Sequence, residues 1–159
     1  MELREITFET VRSIVKLDVS ASQQAFVAPN AVSIAEAHFC PGAWFRGVFV
    51  ENTPVGFVML FDPTIPGSVE RERIGRDEIG LWRLMIDYRH QRKGYGKKVL
   101  DLVCEKVRLD GKANCLLSSF IAGSYGPEEF YLNYGFHKTG QFRNNGQEIE
   151  IALPLKISN

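Results

Sequence analysis

The sequence predicts one mixed α/β sheet domain. Strand-sized apolar runs and helix-period stretches follow one another in the order β-α-α-β-β-β-α-β-α-β-β, and the clearest helix comes straight after a buried strand and a glycine-rich turn. No repeat, low-complexity tract or linker divides the chain, and 159 residues bury one proper core but leave little room for a second.

Leu3, Glu5 and Thr7 alternate with Arg4, Ile6 and Phe8, the period of a short first strand. Thr10 is the expected cap of a helix through Val11, Ile14, Val15 and Leu17, whose spacing gives one apolar stripe. The period is lost from Ser20 to Asn30. Ser33, with Glu36 three residues on, reads as the capping box of a second short helix. Trp44 to Glu51 and Val55 to Asp62, joined by Asn52-Thr53-Pro54, read as a hairpin of largely buried strands. Pro63 to Arg76 is loop-like, with prolines, glycines and clustered charge.

Glu78 to Asp87 is the next strand, too apolar to face water on both sides. A cationic stretch, Tyr88 to Gly96, leads into a helix from Lys97 to about Leu109, with Val99, Leu100, Val103 and Val107 on one face and Asp110-Gly111 as the stop. Cys115 to Ile121 is a buried strand. Pro127 opens a short helix that ends at Tyr134-Gly135. Phe136 to Phe142 and Glu148 to Leu155 flank Asn144-Asn145-Gly146, a terminal hairpin with a strong turn signal.

Bulk composition narrows the function. Lys plus Arg equals Asp plus Glu at 19 each, so no global basic field recruits nucleic acid or an anionic membrane. The longest apolar runs are strand-sized, well short of the roughly 20 residues that span a bilayer, and Met1 to Thr10 lacks the apolar centre of a signal peptide. Three cysteines without CxxC spacing fit a reducing cytosol better than a disulfide framework or structural zinc.

The chemistry is expected at strand, then Gln91-Arg92-Lys93-Gly94-Tyr95-Gly96, then helix. Glycines permit positive φ and let the backbone approach phosphate oxygens. Successive N–H groups can then form an anion nest, backed by the positive end of the helix dipole. Arg89, Arg92, Lys93, Lys97 and Lys98 add positive charge, so a diphosphate is the expected ligand. The spacing is neither GxxxxGK[ST] nor GxGxxG, since position 99 is Val. The helix is expected to start directly after Gly96.

Leu84-Met85-Ile86-Asp87 followed by Gln91 to Gly96 resembles the acetyl-CoA signature of the GNAT (Gcn5-related N-acetyltransferase) superfamily, and Phe130-Tyr131-Leu132-Asn133-Tyr134-Gly135-Phe136 is similar to its later LYxxxGF segment. In finer detail, Leu17 to Ser20 through Gln24, Phe26-Val27, Ser33 to Ala37 and Leu81 to Asp87 resemble bacterial spermine/spermidine (diamine) acetyltransferases. The resemblance implies a single GNAT-like domain over residues 1–159, with a mixed, mostly antiparallel sheet of six to seven strands and about four helices. It further implies that residues 91 to 97 hold the pyrophosphate of acetyl-CoA and that main-chain groups of Leu84, Met85 and Ile86 hold the pantetheine arm. An N–H near Met85 would polarise the thioester, a contribution of roughly 3 kcal/mol for such a donor. Where the family often has Asn seven residues before the tyrosine and Ala four before it, this chain has Ser124 and Pro127; Ser124 can still hydrogen-bond the cofactor. The implied acceptor is a small amine, a polyamine by the finer match, and the family is compatible with a homodimer.

Two proton carriers are sought. An alkylamine with a pKa of about 10.4 must lose a proton to attack, and a thiolate whose acid has a pKa of about 8.5 benefits from gaining one. Tyr131 is the candidate acid by its match to the family's tyrosine, with Tyr134, one helical turn on, as the alternative. Glu78 is the candidate base, placed by alternation on a face with Gly80, Trp82 and Leu84; a solvated surface charge is the competing account. Glu51, Asp62, Glu70, Glu72 and Asp77 are further acids near the expected acceptor mouth. His38, His90 and His137 share no ligand spacing, so no metal is expected. Cys104 and Cys115 read as small apolar fillers. Another acceptor (an amino sugar, an amino acid or a protein amine), a non-catalytic acyl-CoA-binding module and a nucleotide-binding module remain as alternatives.

Overall fold

The computed structural model describes residues 1–68 and 74–155. In chain order its elements are β1 (Glu2–Arg4), α1 (Phe8–Val15), α2 (Asn30–His38), β2 (Ala43–Val50), β3 (Thr53–Phe61), β4 (Glu78–Ile86), α3 (Tyr95–Asp110), β5 (Cys115–Phe120), α4 (Glu128–Tyr134), β6 (His137–Arg143) and β7 (Glu148–Pro154). Short 3₁₀ turns lie at Ala21–Phe26, Tyr88–His90 and Asn144–Gly146. The strands form one seven-stranded sheet, β1-β2-β3-β4-β5-β7-β6. Every neighbouring pair is antiparallel except β4 and β5. The expected mostly antiparallel sheet and four helices are thus present among the described residues.

β3 is apolar from Val55 to Phe61 because both its faces are covered there. Val58 and Leu60 join Leu81, Val99, Leu100 and Val103 in a core under α3, while Phe57 and Met59 join Ile14, Leu17, Ala37 and Met85 in a core under α1 and α2. The two-residue period of the strand deals successive side chains to the two cores.

Several boundaries differ from expectation: the first strand stops at Arg4 rather than Phe8, β3 begins at Thr53 rather than Val55, and three helix starts move for local reasons. α1 is capped one turn earlier, at Thr7, whose N–H donates to the Thr10 Oγ1 at 2.9 Å, so Thr10 works from inside the first turn. α2 begins at Asn30 behind Pro29, whose fixed φ starts the helix; Ser33 lies buried within it and donates to the Pro29 carbonyl at 3.4 Å. α3 starts at Tyr95 because Gly94 takes the left-handed conformation at the cap position, with φ of 76°. The terminal turn follows its signal, with Asn144, Asn145 and Gly146 all at positive φ.

The feature that positions the site is the failure of β4 and β5 to stay together. They pair in parallel only from Glu78 to Gly80, against Cys115 to Leu117. Between β3 and β4 the register passes from Met59↔Arg83 to Leu60↔Leu81, leaving Trp82 as the extra residue of a β-bulge. A bulge bends and twists its strand, and here it accompanies the divergence of β4 from β5. It also inverts the alternation. Leu81 and Leu84 both pack toward α3, whereas Trp82 and Met85 pack toward α1 and α2. Leu84 therefore does not share a face with Glu78, contrary to the expectation from strict alternation.

Candidate active site

The gap between the parted strands carries exposed main-chain groups. The Asp87 N–H donates to the Val55 carbonyl at 2.9 Å, and Phe57 pairs with Met85 in the same register. Because backbone groups alternate sides along a strand, Asp87 and Met85 turn theirs to β3, while Leu84 and Ile86 turn theirs into the gap. Sequence reasoning expected the reactive N–H near Met85; this parity assigns the gap-facing amides to its two neighbours. The Ser118 Oγ donates to the Leu81 carbonyl at 2.9 Å and pins the apex where the strands separate.

Beyond β4 the glycine loop is anchored by a buried carboxylate. Asp87 accepts from the Asp18 N–H at 3.1 Å, from the Arg89 N–H at 3.0 Å, and from the Arg89 Nε and Nη2 at 2.8 and 3.0 Å. Burial raises its pKa, but the Arg89 side chain, the two backbone donors and the Arg89 charge outweigh it and hold the carboxyl below the usual range. The Gln91 Nε2 donates to the Ile86 carbonyl and to the Gln23 Oε1, both at 2.9 Å. The loop is thereby tied to the end of β4 and to the turn before α2.

Within the loop Arg92 and Gly94 take φ of 61° and 76°, the left-handed positions that turn neighbouring N–H groups toward one point. The first intrahelical bond of α3 runs from Lys98 N–H to the Gly94 carbonyl, which leaves the N–H groups of Tyr95, Gly96 and Lys97 directed out of the helix end. The two glycines serve different needs. A Cβ on Gly94 would meet nothing within 4 Å, so its backbone angle is what favours glycine; a Cβ on Gly96 would lie 3.0 Å from the Phe130 ring, so that ring would have to shift by a few tenths of an ångström to admit it. The Lys97 ammonium pairs with Asp101 at 3.4 Å.

A cleft of about 1260 Å³ runs from this helix end through the gap to the turn at Ala21–Phe26. It exceeds the roughly 300–1,000 Å³ of an ordinary small-molecule pocket, room for two substrates. Leu84, Met85, Ile86, Gln91, Arg92, Gly94, Tyr95, Gly96, Lys97, Ser124 and Tyr131 line it. Lys93 and Glu78 are not among its walls. Glu78 instead accepts the Gly75 N–H at 2.6 Å and closes the turn ahead of its own strand. Glu51, Asp62 and Asp77 also lie outside the lining; Asp62 accepts the Thr64 N–H at 2.8 Å. Glu70 and Glu72 lie outside the described residues.

Tyr131 is buried at the apex, its ring 5.1 Å from that of Phe130 and 5.3 Å from that of Phe136. Burial pushes the phenol up to about 12, with a hydrogen bond to the Ser118 side chain working the other way. It keeps its proton at neutral pH, as an acid must. Tyr134, the alternative, is turned to α3: its hydroxyl donates to the Asp101 Oδ1 at 2.9 Å and it is absent from the cleft walls. Burial likewise raises the Cys104 and Cys115 thiols, which stay protonated and unreactive.

Glu148, Ser118 and Ser119 line the cleft but were not singled out from sequence. The available signal was alternation: Glu148 and Glu150 interleave with the partly buried Ile149 and the buried Ile151, marking one face of the last strand as acidic. Among the described residues no three His, Cys, Asp or Glu side chains converge as metal ligands, and no helix is long and apolar enough to cross a membrane.

Comparison with known proteins agrees with this geometry. The family model described as "Acetyltransferase (GNAT) family" matches residues 11–136. The chain is 26% identical over 151 residues, 95% of its length and 97% of the relative's, to a spermine/spermidine N(1)-acetyltransferase of Bacillus subtilis. Among solved structures, the ribosomal-protein-S18-alanine N-acetyltransferase of Escherichia coli superposes with a TM-score of 0.66 at 16% identity, covering 99% of this chain and 96% of that one. The PaiA N-acetyltransferase of Thermoplasma acidophilum, solved in complex with coenzyme A, gives 0.64 at 15% identity over 96% and 98%. The parted strands, the nest at the helix end and the family match lead to one assignment: the chain belongs to the acetyltransferase (GNAT) family and is an acetyl-CoA-dependent N-acetyltransferase.

Proposed function

We propose that the chain moves the acetyl group of acetyl-CoA onto a primary amine of a polyamine such as spermidine or spermine, by direct attack in a ternary complex. The observation that carries this reading is the wedge between β4 and β5, opening beside the outward N–H groups of α3. Residues 91 to 97 hold the pyrophosphate, mainly through main-chain N–H groups. Leu84 and Ile86 pair with the pantetheine arm as an added strand would, one of their amides facing the thioester oxygen, and Met85 holds their register through β3. Ser124 supports the carrier from the opposite rim.

In the reaction the amine nitrogen forms a bond to the acetyl carbon and the carbon–sulfur bond breaks. The nitrogen sheds its proton to solvent, and the thiolate takes one from Tyr131, which is then reprotonated from solvent. The polyamine is supported by the names of the curated relatives, one a spermine/spermidine N(1)-acetyltransferase and one a probable spermine N(1)-acetyltransferase, each aligned over 95% of the chain.

A panel of amines with acetyl-CoA, followed by release of free thiol, tests the proposal. Spermidine and spermine are expected to give the highest kcat/KM. Preference for an aminoglycoside, an amino acid or a peptide N-terminus overturns the acceptor while leaving the enzyme class standing.

The nest has its own test. Gly94→Val places a β-branched side chain at positive φ, a strain of roughly 1–2 kcal/mol or more. Titration calorimetry should show acetyl-CoA affinity falling about tenfold or more, with the same secondary structure by circular dichroism. Unchanged affinity removes this loop from the pyrophosphate role.

A further inference from the structure

Resting on the proposed amine acetylation, we infer that Glu148 is the carboxylate that receives the amino group of the acceptor, at the apex of the wedge and on the face of the sheet opposite Tyr131. Two adjacent serines of β5 carry the inference. Ser118 faces α3 and α4: it donates to the Leu81 carbonyl, and its neighbours of the same parity, Leu116 and Phe120, belong with Tyr131 to the core on that side. Ser119 therefore points to the other face, two residues past the last pairing of β5 with β4, Leu117 against Gly80. There its hydroxyl donates to the Glu148 Oε2. On β7, Ile149 and Ile151 face the α3 side, which sets Glu148 on the side of α1 and α2. Consecutive residues of one strand thus face Tyr131 on one side of the wedge and hold a carboxylate on the other.

Charge within the cleft singles Glu148 out. Two carboxylate side chains line the cleft among the described residues, Glu129 and Glu148. Glu129 stands exposed in the first turn of α4, on the Tyr131 side. Arg83 and Arg143, cations of the cleft wall among the described residues, each pair with a carboxylate, Glu36 at 3.4 Å and Glu150 at 2.8 Å. Glu148 is bonded by neutral groups, the Ser119 hydroxyl and the Asn144 Nδ2 at 3.4 Å. A half-buried carboxylate fixed by neutral donors can pair with an incoming ammonium, and a charge-assisted hydrogen bond at that point is both directional and strong. A thioester lying between the strands would then be attacked from the Glu148 side while its sulfur leaves toward Tyr131.

The test measures spermidine binding to the coenzyme A complex by calorimetry, together with steady-state kinetics, for wild type, Glu148→Gln, Glu148→Asp and Ser119→Ala. Glu148→Gln should weaken amine binding and raise the amine KM by about tenfold or more, leaving acetyl-CoA affinity and kcat at saturating amine within about threefold. Glu148→Asp should recover part of the loss, and Ser119→Ala should shift KM in the same direction by less. A merely structural role would instead lower the thermal midpoint and disturb both substrates alike. Equal amine affinity in wild type and Glu148→Gln, or no amine binding to wild type, overturns the inference. Amine binding that depends on Glu148 without thiol release overturns the proposed reaction alone.

Discussion

Tyr131→Phe is expected to lower turnover about 100-fold, the low end of what a positioned general acid contributes, while acetyl-CoA affinity changes by no more than about twofold. The ring is held between Phe130 and Phe136, so phenylalanine preserves the packing and removes only the hydroxyl at Ser118. Single-turnover kinetics against calorimetry separates the two effects, and an undiminished rate removes Tyr131 from the acid role. The pH profile gives a second reading. With the phenol at about 12, the acid stays loaded throughout the range in which an amine of pKa about 10.4 becomes free to attack, so the rate should climb with pH without a falling limb below about pH 10. Linkage has the same sign. The folded value lies above the ordinary tyrosine value of 10.0, so this contribution to stability is complete below that pH and is lost as pH rises through about 12.

The second large effect is on stability. Asp87→Ala should cost about 3 kcal/mol, because it strips a buried acceptor from two backbone N–H groups and from the Arg89 guanidinium. Denaturant unfolding reads the loss. Arg89 remains largely in solvent, with 56% of its side chain exposed, which keeps the cost below that of stranding a buried cation. The glycine loop hangs from this carboxylate, so acetyl-CoA affinity should fall as well. The folded pKa of Asp87 is depressed; its stabilisation is present above the ordinary value of 3.8 and disappears as pH falls through the folded value. Asp87→Asn should abolish that acid-sensitive part. An unfolding free energy within about 0.5 kcal/mol of wild type would exclude Asp87 as the anchor.

Much of the fold was legible because its elements are locally consistent. The order of strands and helices, the αL stop at Gly111 and the Asn144-Asn145-Gly146 turn each follow from residue chemistry within a few positions. The misplacements arise where one local rule competes with another, as when Pro29 starts a helix that Ser33 was expected to cap. The site divides along the same line. Gln91 to Gly96 and Tyr131 lie in contiguous motifs, which the sequence alone is able to single out. Glu148 depends on contact with Ser119, 29 residues away in sequence, and the parity of Leu84 and Ile86 depends on the hydrogen bond between Asp87 and Val55. The bulge at Trp82 is silent in the pattern of apolar residues, yet it moves Leu84 to the other face and separates Glu78 from the chemistry.

Because β4 and β5 diverge inside the sheet, the opening passes from one of its faces to the other. A conjugate that joins spermidine to coenzyme A through the transferred carbons would thread this opening like a bolt, engaging both halves at once. Tethering makes the second engagement intramolecular, and such a compound should outcompete either fragment by well over an order of magnitude, with Glu148→Gln removing the amine half of the gain and Gly94→Val the other.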